Sequence, residues 1–256
     1  MAVLDPFIHR YELDTSAPTR AQARSDALRR ALAPALVLWV VITAVGLLIE
    51  GPLDSLPGEV AVNEELQADR TPLLDTLTGV WSNIGQTESI IIGCVLILGL
   101  VWWRTKQWWL AIVPSLAVAI QAAVFMTSSL VVGRERPDVE PLDEVPPTSG
   151  YPSGHTGASI AFYVTLALLS RRIKNPVLRW VATGACVLIP LLVGFARLYR
   201  GLHHPSDVAM GAVNGLACVV LGWRYLRRDP DRAADGGAVA DRDSAAPADV
   251  VPKLRA

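Results

Sequence analysis

Six runs of apolar residues, at about 32–49, 88–103, 107–132, 156–171, 178–196 and 208–225, alternate with shorter polar segments along the chain. A helix that crosses a hydrocarbon core needs about 20 apolar residues, within a range of about 17 to 25. The runs fall in or near that range, the second and fourth being the shortest, and they predict an all-α, polytopic membrane protein built as a six-helix transmembrane bundle. Between the first two runs, Thr71-Pro72 reads as a helix start, and Leu73, Leu74, Leu77, Val80, Trp81 and Ile84 recur at helical spacing. This predicts an amphipathic helix over 72–84, either lying at the membrane interface with Trp81 as its anchor or packed on the bundle.

Composition supports the membrane reading: 52% of the 256 residues are hydrophobic, and the mean hydropathy is +0.36. The net charge of −1 carries no message about nucleic acid, because the charges are segregated along the chain. Their placement sets orientation instead. Arg20, Arg24, Arg29 and Arg30 precede the first run with no signal-cleavage pattern after them, which puts the N-terminus on the cytoplasmic side. Alternating spans then bring Arg104, Lys106, Arg171, Arg172, Lys174, Arg179, Arg224, Arg227 and Arg228 to that same side. The expected organisation is a cytoplasmic N-terminal segment at 1–31, a membrane domain at 32–228 with an outer loop at 50–87, and a disordered cytoplasmic tail at 229–256 rich in Ala, Asp, Gly and Pro. Cys94, Cys186 and Cys218 lie far apart inside apolar runs and read as packing residues, not as a disulfide framework or a zinc site.

The outer side carries an acidic first loop and five cations, Arg70, Arg134, Arg136, Arg197 and Arg200, four of which fall in two short segments. Three outer segments hold nearly all the unusual polar residues: Gly133 to Pro137, Tyr151 to His155, and Ala196 to Asp207. Together they contain what phosphoryl transfer without a metal requires. Guanidinium forks match phosphate oxygens and neutralise transition-state charge, so Arg136 and Arg197 are candidate clamps. Ser153, Gly154 and His155 open a helix whose free N–H groups favour an anion, with Ser153 also suited to cap it. A histidine attacks phosphorus when one ring nitrogen is unprotonated and the other is held. His203 and Asp207 stand four apart, on one face of a helix that begins there, so Asp207 is expected to fix the tautomer of a His203 nucleophile. His155 is left to protonate the leaving oxygen and then activate water. Taken singly, each of these residues has a bland reading, such as structural histidines or arginines on lipid head groups; their order and common face argue for the joint one.

The pattern resembles the type 2 phosphatidic acid phosphatase superfamily, whose signature is Lys-x6-Arg-Pro, Pro-Ser-Gly-His and Ser-Arg-x5-His-x3-Asp. Arg136-Pro137, Pro152-Ser153-Gly154-His155, and Arg197 with His203 and Asp207 stand at the family's spacings, and the resemblance runs from about 85 to 225. It implies a six-helix bundle, a phosphohistidine on His203, His155 as acid and base, no metal and no cofactor, and a membrane lipid phosphate or diphosphate as substrate. The family shares this site with the vanadium haloperoxidases. Two positions depart: the family lysine falls on Ser129 and the serine of the third motif on Ala196. Arg134 is expected to lean in and replace the missing charge. The competing readings are a phosphotransferase using the same intermediate, in which an acceptor alcohol replaces water, a haloperoxidase, and a transporter; the last is disfavoured because its site belongs near the membrane midplane.

Overall fold

A computed structural model describes residues 5–13, 17–53, 56 and 58–227. The expected tail at 229–256 lies outside the described residues. Two compact units emerge. Of the first, short helical turns are described at Asp5–Ile8 and Arg10–Leu13. The second, residues 17–226, holds the whole helical assembly.

Its helices are α1 (Arg20–Glu50), α2 (Gly58–Ala68), α3 (Pro72–Ile84), α4 (Thr87–Thr105), α5 (Trp108–Val132), α6 (Gly154–Ser170), α7 (Pro176–Tyr199) and α8 (Pro205–Trp223). Their starts follow from local chemistry. Thr19 caps α1 in a reciprocal box with Gln22, Thr71 caps α3 ahead of Pro72, and Asn175 caps α7 ahead of Pro176. Helix α1 carries a wide π-type turn at Leu28–Leu32, and α5 ends on Gly133, whose φ of 68° is the left-handed conformation that favours glycine.

Among the described residues, five helices, α1, α4, α5, α7 and α8, are long and apolar enough to cross a membrane. Their large outward side chains are apolar, with Leu130 at 83% exposure the extreme case. Helix α6 coincides with the fourth apolar run but has only 17 residues, a rise of about 25 Å. It packs against α5, α7 and α8 and buries hydroxyls at Thr156, Ser159 and Thr165, which lowers its hydropathy.

The approach of α6 to α8 is backbone on backbone. A Cβ on Gly211 would meet the Ser153 carbonyl at 2.5 Å, and one on Gly215 would meet the Gly157 carbonyl at 2.6 Å. Small residues let membrane helices come this close. The contact matters for function, because it fixes the N-terminal end of α6 beside that of α8. The amphipathic helix α3 buries Thr78 and Ser82 and packs on α7, with Trp81 near the Phe195 ring at 6.4 Å between centroids. The three cysteines are free.

Candidate active site

The C-terminal end of α5, the N-termini of α6 and α8 and the C-terminal end of α7 meet at one end of the bundle. The chain leaving α5 through left-handed Gly133 runs directly into Arg134 and Arg136. There a cavity of about 580 Å³ opens, with His155, His203, Arg136, Arg197 and Gly154 in its wall. Its remainder runs between α4 and α5 and is mainly apolar, with Ile90, Ile91, Val95, Val118 and Met126 among the lining residues.

His203 is buried, and its Nδ1 lies 2.7 Å from the carbonyl oxygen of Gly150. A carbonyl only accepts, so Nδ1 carries the proton and Nε2 keeps a free lone pair. Burial, followed by the positive charges of Arg197 and Arg136, holds the imidazole well below its ordinary pKa, so it is neutral near pH 7.

Arg136 and Arg197 are held by part of their donor sets. Arg136 donates to the carbonyls of Leu202 (2.7 Å) and Thr148 (3.1 Å). Arg197 donates to the Ser82 hydroxyl at 2.8 Å and faces Asp143 at 3.4 Å. In both, the Nε–H is buried and has no acceptor within the protein. Helix α6 has no side-chain cap bond at its start, which leaves its first N–H groups to the cavity that Gly154 lines. Arg136, Arg197 and the first residue of α6 thus share the wall of one cavity, an arrangement suited to a tetrahedral oxyanion.

Three sequence expectations are corrected by this geometry. Asp207 does not hydrogen-bond His203: its Oδ2 is 3.9 Å from Nδ1 and instead accepts from the His204 backbone N–H at 2.8 Å. The helical i, i+4 argument fails because His203 and His204 precede the first turn of α8, so the imidazole turns to the Gly150 carbonyl. Arg134 does not lean into the phosphate cradle. It is 1% exposed and pairs with Asp207 at 2.7 Å, Glu59 at 3.0 Å and Glu50 at 3.7 Å, whereas Arg136, two residues on, lines the cavity. The Ser153 hydroxyl neither caps α6 nor lines the cavity; it is buried against the Thr156 hydroxyl at 3.0 Å. At the position of the family lysine, Ser129 is buried and paired with Ser149 at 3.1 Å, so Arg136 and Arg197 are the cations in the cavity wall.

Sequence reasoning missed the groups that hold Arg197 and His203. Asp143 receives Arg200 through Nη2 at 2.6 Å and Nε at 2.8 Å, besides facing Arg197. Burial raises the pKa of its carboxyl, but the hydrogen bonds and charge of Arg200, with Arg197 behind, outweigh this and hold it below the usual range. Ser82 is a polar residue on the inward face of amphipathic α3, a position that does break the apolar pattern. The Gly150 carbonyl has no signal in sequence, since any residue has one.

The stretch that carries Arg136, His155, Arg197, His203 and Asp207, 110–231, matches the PAP2 superfamily. Among PAP2 structures, the chain is similar to the phosphatidylglycerolphosphate phosphatase of Bacillus subtilis, described as the first transmembrane PAP2-type enzyme, with a TM-score of 0.60, 19% identity, and 80% of this chain and 96% of that chain covered. It is also similar to Aquifex aeolicus LpxE, with a TM-score of 0.50 and 22% identity over 64% of this chain and 94% of that one. At these identities the likeness is one of fold. In sequence, 79 residues are 28% identical to undecaprenyl-diphosphatase BcrC of Bacillus subtilis, which is 31% of this chain and about a third (35%) of that relative's length. The PAP2 fold and the apolar helices together make this a multi-pass membrane protein.

Proposed function

We propose that the protein hydrolyses a lipid phosphate or diphosphate through a phosphohistidine on His203, at the outer face of the membrane. The observation that carries this reading is the convergence of His203, His155, Arg136 and Arg197, from three separated segments, on the polar end of one cavity whose remainder is apolar. A phosphorylated head sits among the cations while its hydrocarbon stays between helices. The BcrC and phosphatidylglycerolphosphate phosphatase relatives act, by their names, on such lipids.

In the first step Nε2 of His203 attacks phosphorus as the bond to the lipid oxygen breaks. Arg136, Arg197 and the opening N–H groups of α6 bind the non-bridging oxygens, whose charge grows in the transition state. His155 gives its proton to the departing alkoxide. In the second step His155 takes a proton from water, the hydroxide attacks the phosphohistidine, and inorganic phosphate leaves with His203 restored. Asp207 acts on this reading through position: fixed by Arg134, its negative charge stands 3.9 Å from the imidazole and favours the charged phosphohistidine. The outer location is supported by the opposite end of the bundle, where Arg104, Lys106, Arg171, Arg172, Lys174 and Arg224 gather at helix ends, the cation-rich side that remains cytoplasmic.

The test is phosphate release from purified lipid phosphates and diphosphates in detergent with EDTA present. Release is expected to persist in EDTA and to be inhibited by vanadate, which adopts the five-coordinate geometry of the transferring group. Activity lost in EDTA and restored by magnesium would overturn the metal-free step.

The pH profile provides a second check. A histidine whose pKa is depressed stays neutral as pH falls through about 6.5 and loses its lone pair only below that. After correction for the substrate's own ionisation near pH 6, the acid limb of kcat/KM is therefore expected below 6.5. Arg136→Met removes a repelling charge and is expected to move that limb upward. A wild-type limb at or above 6.5, or a downward move in the variant, contradicts the assignment.

A further inference from the structure

The segment that carries His203 is not helical; it connects α7 to α8, so its backbone groups must find partners elsewhere in the fold. One peptide unit is held from both edges. The His204 N–H donates to Asp207 Oδ2 at 2.8 Å, and the His203 carbonyl accepts from Asn63 Nδ2 at 3.1 Å. A carbonyl only accepts, so the nitrogen of the Asn63 amide is the atom that faces it. The imidazole is pinned at Nδ1 by the Gly150 carbonyl. Turning the 203–204 peptide would shift the His203 Cα and swing the ring about that pin, moving Nε2.

Asn63 comes from α2 in the outer loop, outside the stretch 110–231 that matches the PAP2 superfamily. Packing alone does not account for an amide there. Asn63 is the buried residue of α2, at 2% exposure, while Val60 and Val62 of the same helix are exposed. A buried amide is costly unless it is hydrogen-bonded, and an apolar side chain would dock the helix at less cost. Its Oδ1 is buried without a hydrogen bond, so the bond to His203 is the one that accounts for the residue. Docking falls to Glu59, one turn earlier on the same face of α2. Glu59 accepts from the backbone N–H and the hydroxyl of Ser206 and pairs with Arg134 at 3.0 Å, which seats α2 on the start of α8.

We propose that Asn63 is a positioning residue for the nucleophile, its hydrogen bond to the His203 carbonyl fixing the direction in which Nε2 meets phosphorus. This rests on the phosphohistidine reading above and adds to it a residue of the outer loop. In-line attack needs the reacting atoms about 3–3.5 Å apart and aligned, and a misplacement of about 1 Å costs on the order of 10²-fold.

The experiment uses the full-length protein in detergent with dioctanoyl phosphatidic acid as substrate. Asn63→Leu keeps the volume and removes the donor, and its kcat is expected to fall by about ten- to a hundredfold. The inhibition constant for inorganic phosphate, which reports the Arg136 and Arg197 cradle without the attack, is expected to stay unchanged. A wild-type kcat, or a loss carried by KM and the phosphate inhibition constant instead, overturns the role. Asn63→Asp provides a check that does not depend on how well the leucine variant folds. It is isosteric and donates to the carbonyl only when protonated, and its surroundings are Glu59, Asp207, His204 and the Arg134 guanidinium that pairs with both carboxylates. Burial next to two carboxylates favours the protonated form, so its kcat relative to wild type at the same pH is expected to rise as pH is lowered from about 8 to about 6.5. A ratio that stays flat overturns the role. No phosphate release by the wild-type protein overturns it together with the phosphatase reading; wild-type release with Asn63→Leu at full kcat overturns the role alone.

Discussion

After rapid mixing with labelled substrate, His203→Ala is expected to carry no protein-bound phosphate from any substrate, and His155→Ala is expected to accumulate it. The first variant lacks the atom that forms the bond, since Nε2 is the free nitrogen of a ring whose Nδ1 is held by Gly150. Its turnover should fall on the order of 10⁴-fold or more, the scale seen when a covalent nucleophile is removed. The second variant keeps the nucleophile and loses the proton carrier. A lipid alkoxide then leaves poorly, a loss of about 10² to 10⁴-fold, whereas an aryl phosphate, with its acidic leaving group, still loads His203. With no base to activate water, the phosphohistidine persists as acid-labile, base-stable label on the protein. Label retained in His203→Ala, or mapped to His155, reverses the roles.

Arg134→Met is expected to fail by unfolding, not by weak phosphate binding. Its guanidinium stands among Asp207, Glu59 and Glu50, and Asp207 is fully buried. Removing the cation leaves buried carboxylate charge uncompensated, a loss of about 3–5 kcal/mol. In a protein of this size that lowers Tm by roughly 6–20 °C, read as thermal unfolding of the purified protein in detergent. Arg136→Met, at the cavity mouth, is expected to keep Tm within about 3 °C, since a partly solvated site contributes about 1 kcal/mol or less, while kcat/KM falls by at least about tenfold through loss of a charge-assisted contact. If Arg134→Met is instead well folded and merely raises KM, Arg134 belongs to the phosphate cradle after all.

The contrast between these arginines marks the boundary of what sequence patterns reveal. Arg134 and Arg136 are two residues apart in an otherwise plain loop, and nothing in composition or charge assigns one to the cavity wall and the other to the scaffold. The assignment depends on Glu59, 75 residues earlier, and Asp207, 73 later, closing around Arg134. Asp143 likewise reads in sequence as one acid in a polar loop, and becomes a brace for Arg197 and Arg200 only once α3, α7 and that loop are packed together. His203 and Asp207 show the opposite failure: helical spacing predicted a contact that the non-helical approach to α8 does not make.

By itself the sequence determined the long apolar helices and α3, because apolar run length and helix-start residues act within a few residues of where they stand; it gave neither α2 nor the extension of α1 back to Arg20. It also placed the candidate site residues at one end of the bundle, because three motifs with phosphate-matching side chains fall at the ends of successive runs. Only the tertiary structure decided which carbonyl holds the His203 tautomer and which arginine faces the cavity. Those are contacts between segments tens of residues apart, made through backbone carbonyls and glycine-mediated helix approaches, and neither leaves a trace in local pattern.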